Sequence, residues 1–464
     1  MKVQLLCSVV LLGCFFEPGA ATCSSGPTTC YIETPARILG NQNVNGGHDG
    51  LTLEDCAQLC YNKGNKYAGA EYANQCYCGD ELSVDAKVAR SASECDMPCS
   101  ANKTEMCGGD WRVSVLEVSC EGPPDPRPRE PARMVNPCLD ASQPFSKMPF
   151  CNASLPIDVR VQDAVFRMTL AEKIANMATY GAPIPSLGLR RYNWWSEATH
   201  GLKYVQNDDR TPYESNFAMP ITTAMSFNRS LWLKTGRQIG QEARAFMNAG
   251  NAFSTFWAPV INIAREPRWG RNIETPGEDP YLTGEYATHF VQGMEVAPQD
   301  PSHIQASACC KHYVANSMDA STVAGVSWNR ENFDASVTMQ DLVDSYMAPF
   351  QACVERGKVS GMMCSYNAVN GVPSCANDWL LAEVARNDWG FDGYITSDCD
   401  ADADVFRSHH YTSTPEEAVR DVLHAGTDVD CGAFVPQHAA GALKSGDISP
   451  ADIDARLEQL FAVR

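Results

Sequence analysis

The chain has 464 residues, 44% hydrophobic and 20% charged, which is enough for a large core and two or three domains. Its 36 basic against 56 acidic residues leave a net charge of −20. No basic stripe exists to neutralise phosphates, so nucleic acid and membranes are excluded as partners, and a soluble protein with a neutral substrate fits.

Residues 1–21 read as a signal peptide: Lys2 supplies the charge, Val3 to Phe16 the apolar stretch, and Gly19-Ala20-Ala21 the small-residue cleavage site. No later apolar run is long enough to span a bilayer, and the expected location is extracellular. Removing Cys7 and Cys14 from the 21 cysteines leaves 19, an odd number, so at least one thiol stays free or pairs outside the chain. Sequons at Asn102, Asn152 and Asn228 are candidate glycosylation sites.

A cysteine-dense region follows, with Cys30, Cys56, Cys60, Cys76, Cys78, Cys95, Cys99 and Cys107. Cys56 and Cys60 stand one helical turn apart, and Cys76 and Cys78 point to one side of a strand. In an exported segment these thiols are disulfide candidates, with zinc the lesser alternative, and their connectivity is not readable from spacing. The stretches Leu53-Glu54-Asp55-Cys56, Tyr67 to Tyr72, Cys76-Tyr77-Cys78-Gly79 and Glu105 to Gly109 resemble a WSC domain, a carbohydrate-binding module, over residues 28–118. The resemblance implies binding to wall polysaccharide. The bland reading is a small disulfide-stapled α+β spacer. Residues 119–137 are rich in Pro and charge and read as a semi-rigid linker.

From residue 138 to 464 strands and helices alternate. Helical patterns run over Leu170 to Met177, Ser230 to Asn248, Leu282 to Val296, Met339 to Arg356, Trp379 to Asp388 and Pro415 to His424, with two more at the end. Strand patterns cover Phe253 to Ile263, Ala306 to Ala315, Gly361 to Tyr366, the segment at Tyr394, and a short piece near Thr427. This alternation predicts an α/β fold, a TIM-like (β/α) barrel of parallel strands. A doubly wound sheet is the rival, but no Gly-rich phosphate loop follows any strand.

Chemistry collects where the strands stop: Glu197, Arg271, Lys311-His312, Tyr366 and Asp398. In a barrel those ends converge on one face. Asp398, Asp400, Asp402 and Asp404 alternate like a calcium loop, but its sixth and twelfth places hold Ala403 and His409, where Gly and Glu are needed. No metal and no cofactor is therefore expected, and Asp400 to Asp404 read as a helix cap. A neutral sugar is held by charge-assisted hydrogen bonds worth about 1.5–3 kcal/mol each. Trp194, Trp195 and Trp257 could add apolar faces, though core packing explains each singly as well.

The segments WWSEATHG, PRWGRNIETPGEDP, KHYVAN, SYNAVNG and ITSDCDA, in that order, resemble the N-terminal barrel of glycoside hydrolase family 3, specifically its fungal β-xylosidase branch. The resemblance implies a retaining, exo-acting hydrolase that releases terminal β-linked xylose from xylo-oligosaccharides. Asp398 matches the nucleophile. Glu197, Arg271, Lys311, His312, Arg330 and Tyr366 match residues around the terminal sugar, with Trp195 and Trp257 as aromatic neighbours. Glu197 stands where related β-glucosidases carry Asp, and its extra methylene fills space a hydroxymethyl needs. Nearby Arg or Lys is expected to keep the Asp398 pKa low.

The acid/base of two-domain relatives lies on a following domain, and the loop YVANSMDASTVAGVSWNR carries Asp319 but no His. The expectation is a chain that holds the nucleophile and pocket and lacks its own acid/base. The alternatives are a glycan-binding protein with a silent barrel, or a single-domain β-N-acetylglucosaminidase. The oligomeric state is not legible.

Overall fold

The computed structural model describes residues 22–23, 26–33, 37–39, 51–62, 64–84, 86–121, 136–139, 142–205, 211, 213–323 and 326–464. The expected leader at 1–21 and the linker stretch 122–135 lie outside the described residues. The chain divides into two compact units, Met1–Arg129 and Glu130–Arg464. No helix among the described residues is long and apolar enough to cross a membrane.

In the first unit the strand Arg112–Glu117 sits at the centre of an antiparallel sheet, between Tyr67–Glu71 and Thr29–Ile32. Gln75–Gly79 and Lys87–Val88 form its edges. The helix Leu53–Asn62 is bolted to one edge: Cys56 bonds Cys76 and Cys60 bonds Cys78. This works because a helical turn and a two-residue strand step each place both sulfurs on one face. Cys30–Cys95 and Cys99–Cys107 take up the remaining candidates. With their sulfurs paired, Cys56, Cys60 and Cys76 have no thiolate to offer zinc, although they lie close together.

A further bridge, Cys23–Cys120, spans a sequence separation of 97 and joins the paired strands Thr22–Cys23 and Cys120–Glu121. Closing so long a loop stabilises by roughly 4–5 kcal/mol on the chain-entropy account. The unit therefore reaches beyond residues 28–118 on both sides.

The second unit is a TIM-like (β/α) barrel. Cys310–Tyr313, Gly361–Cys364 and Tyr394–Ser397 form a parallel ladder. Beyond its ends the ring continues through parallel bridges, Thr396 with Val429 and Asp430 with Ala178 on one side, Lys311 with Val260 on the other. It closes where Trp257 N donates to Ser196 O at 2.7 Å and the Thr255 hydroxyl donates to Trp194 O. A closed ring excludes the doubly wound alternative.

Two features depart from the expectation of regular parallel strands. Tyr192–Asn193 runs antiparallel to Tyr180–Gly181, because the link between them has no crossover helix and turns at Pro185–Leu187 and Gly188. The stretch Phe253 to Ile263 is extended but bridges only at Thr255 and Val260. Pro259 lies between those bridges and has no N–H to give the ladder.

Apolar helical faces cover the ring. The helix Arg229–Ala249 is capped by the Asn228 side chain, which accepts from Leu231 N, and ends at Gly250 in the left-handed region. It packs on the helix Pro280–Glu295 at a distance only glycine permits. A Cβ on Gly236 would stand 2.2 Å from Phe290 O. Inside the ring, Trp194, Trp257, Cys309, Met363 and Tyr394 are buried in one cluster, the packed plug of such a barrel. Cys138–Cys151, Cys310–Cys353, Cys364–Cys375 and Cys399–Cys431 are bonded, and Cys309 is free and buried.

Candidate active site

Asp398 follows directly on the strand Tyr394–Ser397. Its amide donates to Cys364 O at 3.0 Å, continuing the ladder to the next strand end. Oδ1 accepts from the Cys399 amide at 2.9 Å. Oδ2 is buried and has no hydrogen-bond partner. A buried carboxylate oxygen left unpaired is costly, and such atoms are kept where chemistry uses them.

The loop that holds Asp398 is laced to the neighbouring strand end. Asp400 N donates to Cys431 O, Cys431 N donates to the Ser397 hydroxyl, and Cys399–Cys431 is a covalent tie. The capping role expected for Asp400 to Asp404 does not hold. Asp400 has φ of 65° and its side chain caps nothing, while Asp402 is fully buried behind the site with Asp430. The left-handed turn at Asp400 drives the helix Ala401–Arg407 into the barrel wall, so its acidic side chains go inward. Burial raises the pKa of both Asp402 and Asp430; the Asp430 carboxyl pushes Asp402 further up, and Asp400 does the same to Asp430.

Most of the expected pocket residues stand around Asp398. His312 Nε2 lies 3.6 Å from Asp398 Oδ2, and Arg271 Nη2 lies 3.4 Å from the same His312 nitrogen. Lys311 Nζ donates to Glu197 Oε2 at 2.5 Å. The Trp195 indole N–H donates to Glu197 Oε1 at 3.3 Å. Both Glu197 oxygens are thus fixed from opposite sides. The Arg330 guanidinium lies 4.6 Å over the Tyr366 ring.

Arg271 grips Glu274 with two parallel hydrogen bonds, Nε to Oε1 at 3.0 Å and Nη2 to Oε2 at 2.7 Å. This ion pair coexists with the place of Arg271 beside His312. Trp257 differs from expectation. It is fully buried, and its indole N–H donates to the Tyr394 hydroxyl at 3.2 Å. Trp257 and Trp194 therefore have no face to offer a sugar and form the floor, whereas Trp195 is partly exposed and stacks toward Tyr204 with ring centroids 4.7 Å apart.

The electrostatics correct one expectation. Burial is the largest influence on Asp398 and raises its pKa, against the opposing pull of Arg271, Arg330 and Lys311. Burial likewise raises Glu197 despite Lys311. It also pushes His312 well below the ordinary imidazole range, assisted by Arg271, Lys311 and Arg330, so the ring is neutral.

Asn262 was not singled out by sequence reasoning. It is buried, and its side chain contacts both the backbone and the ring of His312. The only signal was an amide in an otherwise apolar strand pattern.

Of the sequon residues, Asn152 and Asn228 are exposed and Asn102 is partly so. In the first unit Trp111 is 45% exposed beside Asp110, which accepts from the Tyr72 hydroxyl at 2.8 Å.

Residues 193–463 match the family model described as the Glycosyl hydrolase family 3 N terminal domain, and residues 28–109 match the WSC domain. The chain is 45% identical over 336 residues to probable beta-D-xylosidase 7 of Arabidopsis thaliana, taking in 70% of this chain and 43% of that protein. It is 41% identical over 335 residues to probable exo-1,4-beta-xylosidase bxlB of Aspergillus clavatus, covering 69% of this chain and 42% of the relative. Among solved structures it is similar to a GH3 exo-beta-xylosidase, XlnD, in complex with a xylobiose aziridine activity-based probe. That likeness has a TM-score of 0.66 at 33% identity and covers 73% of this chain and 44% of the other. The chain thus spans well under half the length of these relatives.

Proposed function

The chain belongs to glycosyl hydrolase family 3, and from that premise we propose that it acts on the terminal β-linked xylose of xylo-oligosaccharides outside the cell, by a retaining mechanism with Asp398 as nucleophile. The observation that carries this reading is Asp398 Oδ2, buried and unpartnered at a strand end among Arg271, Lys311, Arg330 and His312. Attack by that oxygen on the anomeric carbon forms a glycosyl ester and breaks the glycosidic bond. Water then cleaves the ester.

Pentose selection falls to Glu197. Held by Trp195 on one oxygen and Lys311 on the other, its carboxylate cannot swing aside to admit a hydroxymethyl group. Names of the relatives, which include β-xylosidases of plant and fungal origin, agree with this assignment.

A retaining enzyme also needs a carboxyl that serves as acid and then as base. Glu197 and Glu274 are each bound to a cation and are assigned no such role. We assign it to a group outside the described pocket. The mechanism is tested with a xyloside carrying a good leaving group, whose departure needs no acid, and added azide. Azide should accelerate turnover and yield β-xylosyl azide. An α product, or no response to azide, would count against a retaining nucleophile.

For the disulfide-rich unit we propose binding to wall polysaccharide, supported by the WSC match and the exposed Trp111 beside Asp110. Whole chain should be retained on insoluble xylan, chitin or β-glucan, and Trp111→Ala should release it. Equal recovery of both proteins in the unbound fraction would contradict the proposal.

A further inference from the structure

Asn262 spends its whole side chain on one residue. The His312 amide donates to Asn262 Oδ1 at 2.8 Å, and Asn262 Nδ2 donates to His312 O at 2.8 Å. A backbone N–H can only donate and a carbonyl can only accept, so these two bonds fix which end of the carboxamide is oxygen. The same Oδ1 stands 3.2 Å from His312 Nδ1. An amide oxygen has no proton to give, so Nδ1 must carry one.

The consequence appears on the other side of the ring. His312 is neutral, so a proton on Nδ1 leaves Nε2 with a bare lone pair. Nε2 faces Arg271 Nη2 at 3.4 Å and Asp398 Oδ2 at 3.6 Å. The charged groups acting on the ring are Arg271, Lys311 and Arg330, with Asp398 alongside Nε2. Two acceptor atoms, Nε2 and Oδ2, thus stand side by side with no proton between them. This agrees with the absence of any partner on Oδ2.

We infer that Asn262 is a positioning residue: by holding the proton of His312 on Nδ1 it denies Asp398 Oδ2 a hydrogen bond from the ring and leaves Nε2 as an acceptor toward the Arg271 guanidinium. The inference rests on reading Asp398 as the nucleophile. In the opposite tautomer Nε2–H would point at Oδ2, hold the lone pair needed for attack, and meet the Arg271 N–H as donor against donor. Nothing in the ring's own chemistry prevents that tautomer. The amide behind it does, and the donor-only Arg271 guanidinium in front of it acts the same way.

The test uses the whole chain with ¹⁵N-labelled histidine, the His312 signals being identified by their loss in His312→Gln. The nitrogen shifts of unliganded protein should show Nδ1 protonated and Nε2 bare. Asn262→Leu should move the proton to Nε2 and slow labelling by an activated 2-fluoro-xyloside about 10–100-fold, the usual cost of losing a group that orients a histidine. Asn262→Asp keeps an acceptor oxygen beside Nδ1 and should retain the Nδ1–H signal, which decides the matter if the leucine variant fails to fold. A proton on Nε2 in the wild type, or its absence from Nδ1 in Asn262→Asp, overturns the inference. So does wild-type labelling in a folded Asn262→Leu. The spectrum is read without ligand, so it decides the tautomer whether or not Asp398 takes a label.

Discussion

At the scale of single residues, the balance of burial and charge at Asp398 has a consequence for pH. As the proposed nucleophile it must be ionised, and burial raises its pKa against the pull of Arg271, Arg330 and Lys311. A carboxyl with a raised folded pKa is protonated, and inert, over a wider range than a free aspartate titrating near ~3.9. The acid limb of the labelling rate should therefore lie above that value, with reactivity lost as pH falls through the raised pKa. Arg330 is one of the groups pulling the pKa down, so Arg330→Gln should move the limb upward. A limb at or below the free-aspartate value, or a downward move in the variant, would contradict this. His312 is pushed the other way, downward, by burial and three cations.

At the scale of elements, the barrel depends on a close helix contact. The Gly236 position faces Phe290 O, and Gly293 faces Leu233 O just as closely from the partner helix. Gly236→Val would force Arg229–Ala249 off Pro280–Glu295 and should cost about 1–3 kcal/mol, read as a lowered Tm. An unchanged Tm would mean that the helices are not packed as described. The elements most legible in the sequence were those with a strong period or caps, such as the helix between Asn228 and Gly250 and the parallel strand before Asp398. The reversed strand Tyr192–Asn193 was not legible, because its two residues are too few to show any period. Nor was the inward turn at Asp400, since the alternating Asp of DCDADA read as a helix cap and carry no sign of burial. Glu197, Lys311, His312 and Asp398 were singled out because each stands at the end of an apolar run, whereas Arg271, on the short helical turn Gly270–Glu274, lies past the stretch that ends at Ile263. Trp257 was misread because burial at a strand end and exposure in a pocket leave the same sequence trace. Asn262 escaped because its partner is another residue's backbone, which no side-chain pattern reveals.

At the scale of the molecule, two compact units with different means of support share one chain. The first is stapled by Cys23–Cys120, Cys30–Cys95, Cys56–Cys76, Cys60–Cys78 and Cys99–Cys107 around a small sheet. The second has the large apolar core a barrel affords, and one of its disulfides, Cys399–Cys431, sits at the site and not in the scaffold at large. If the first unit binds polysaccharide and the barrel acts on xylo-oligosaccharides, as proposed, sharing one chain would keep the catalyst near insoluble substrate, and the net charge of −20 suits a neutral polymer. All of this hangs on one oxygen atom being poised for attack on a pentose. The most direct measurement is peptide mapping of the whole chain after exposure to activated 2-fluoro-xyloside and, separately, 2-fluoro-glucoside. The account predicts a single fluoroxylosyl ester on Asp398, formed far faster than any glucosyl one. A label on another carboxylate, or none on folded protein, would contradict it.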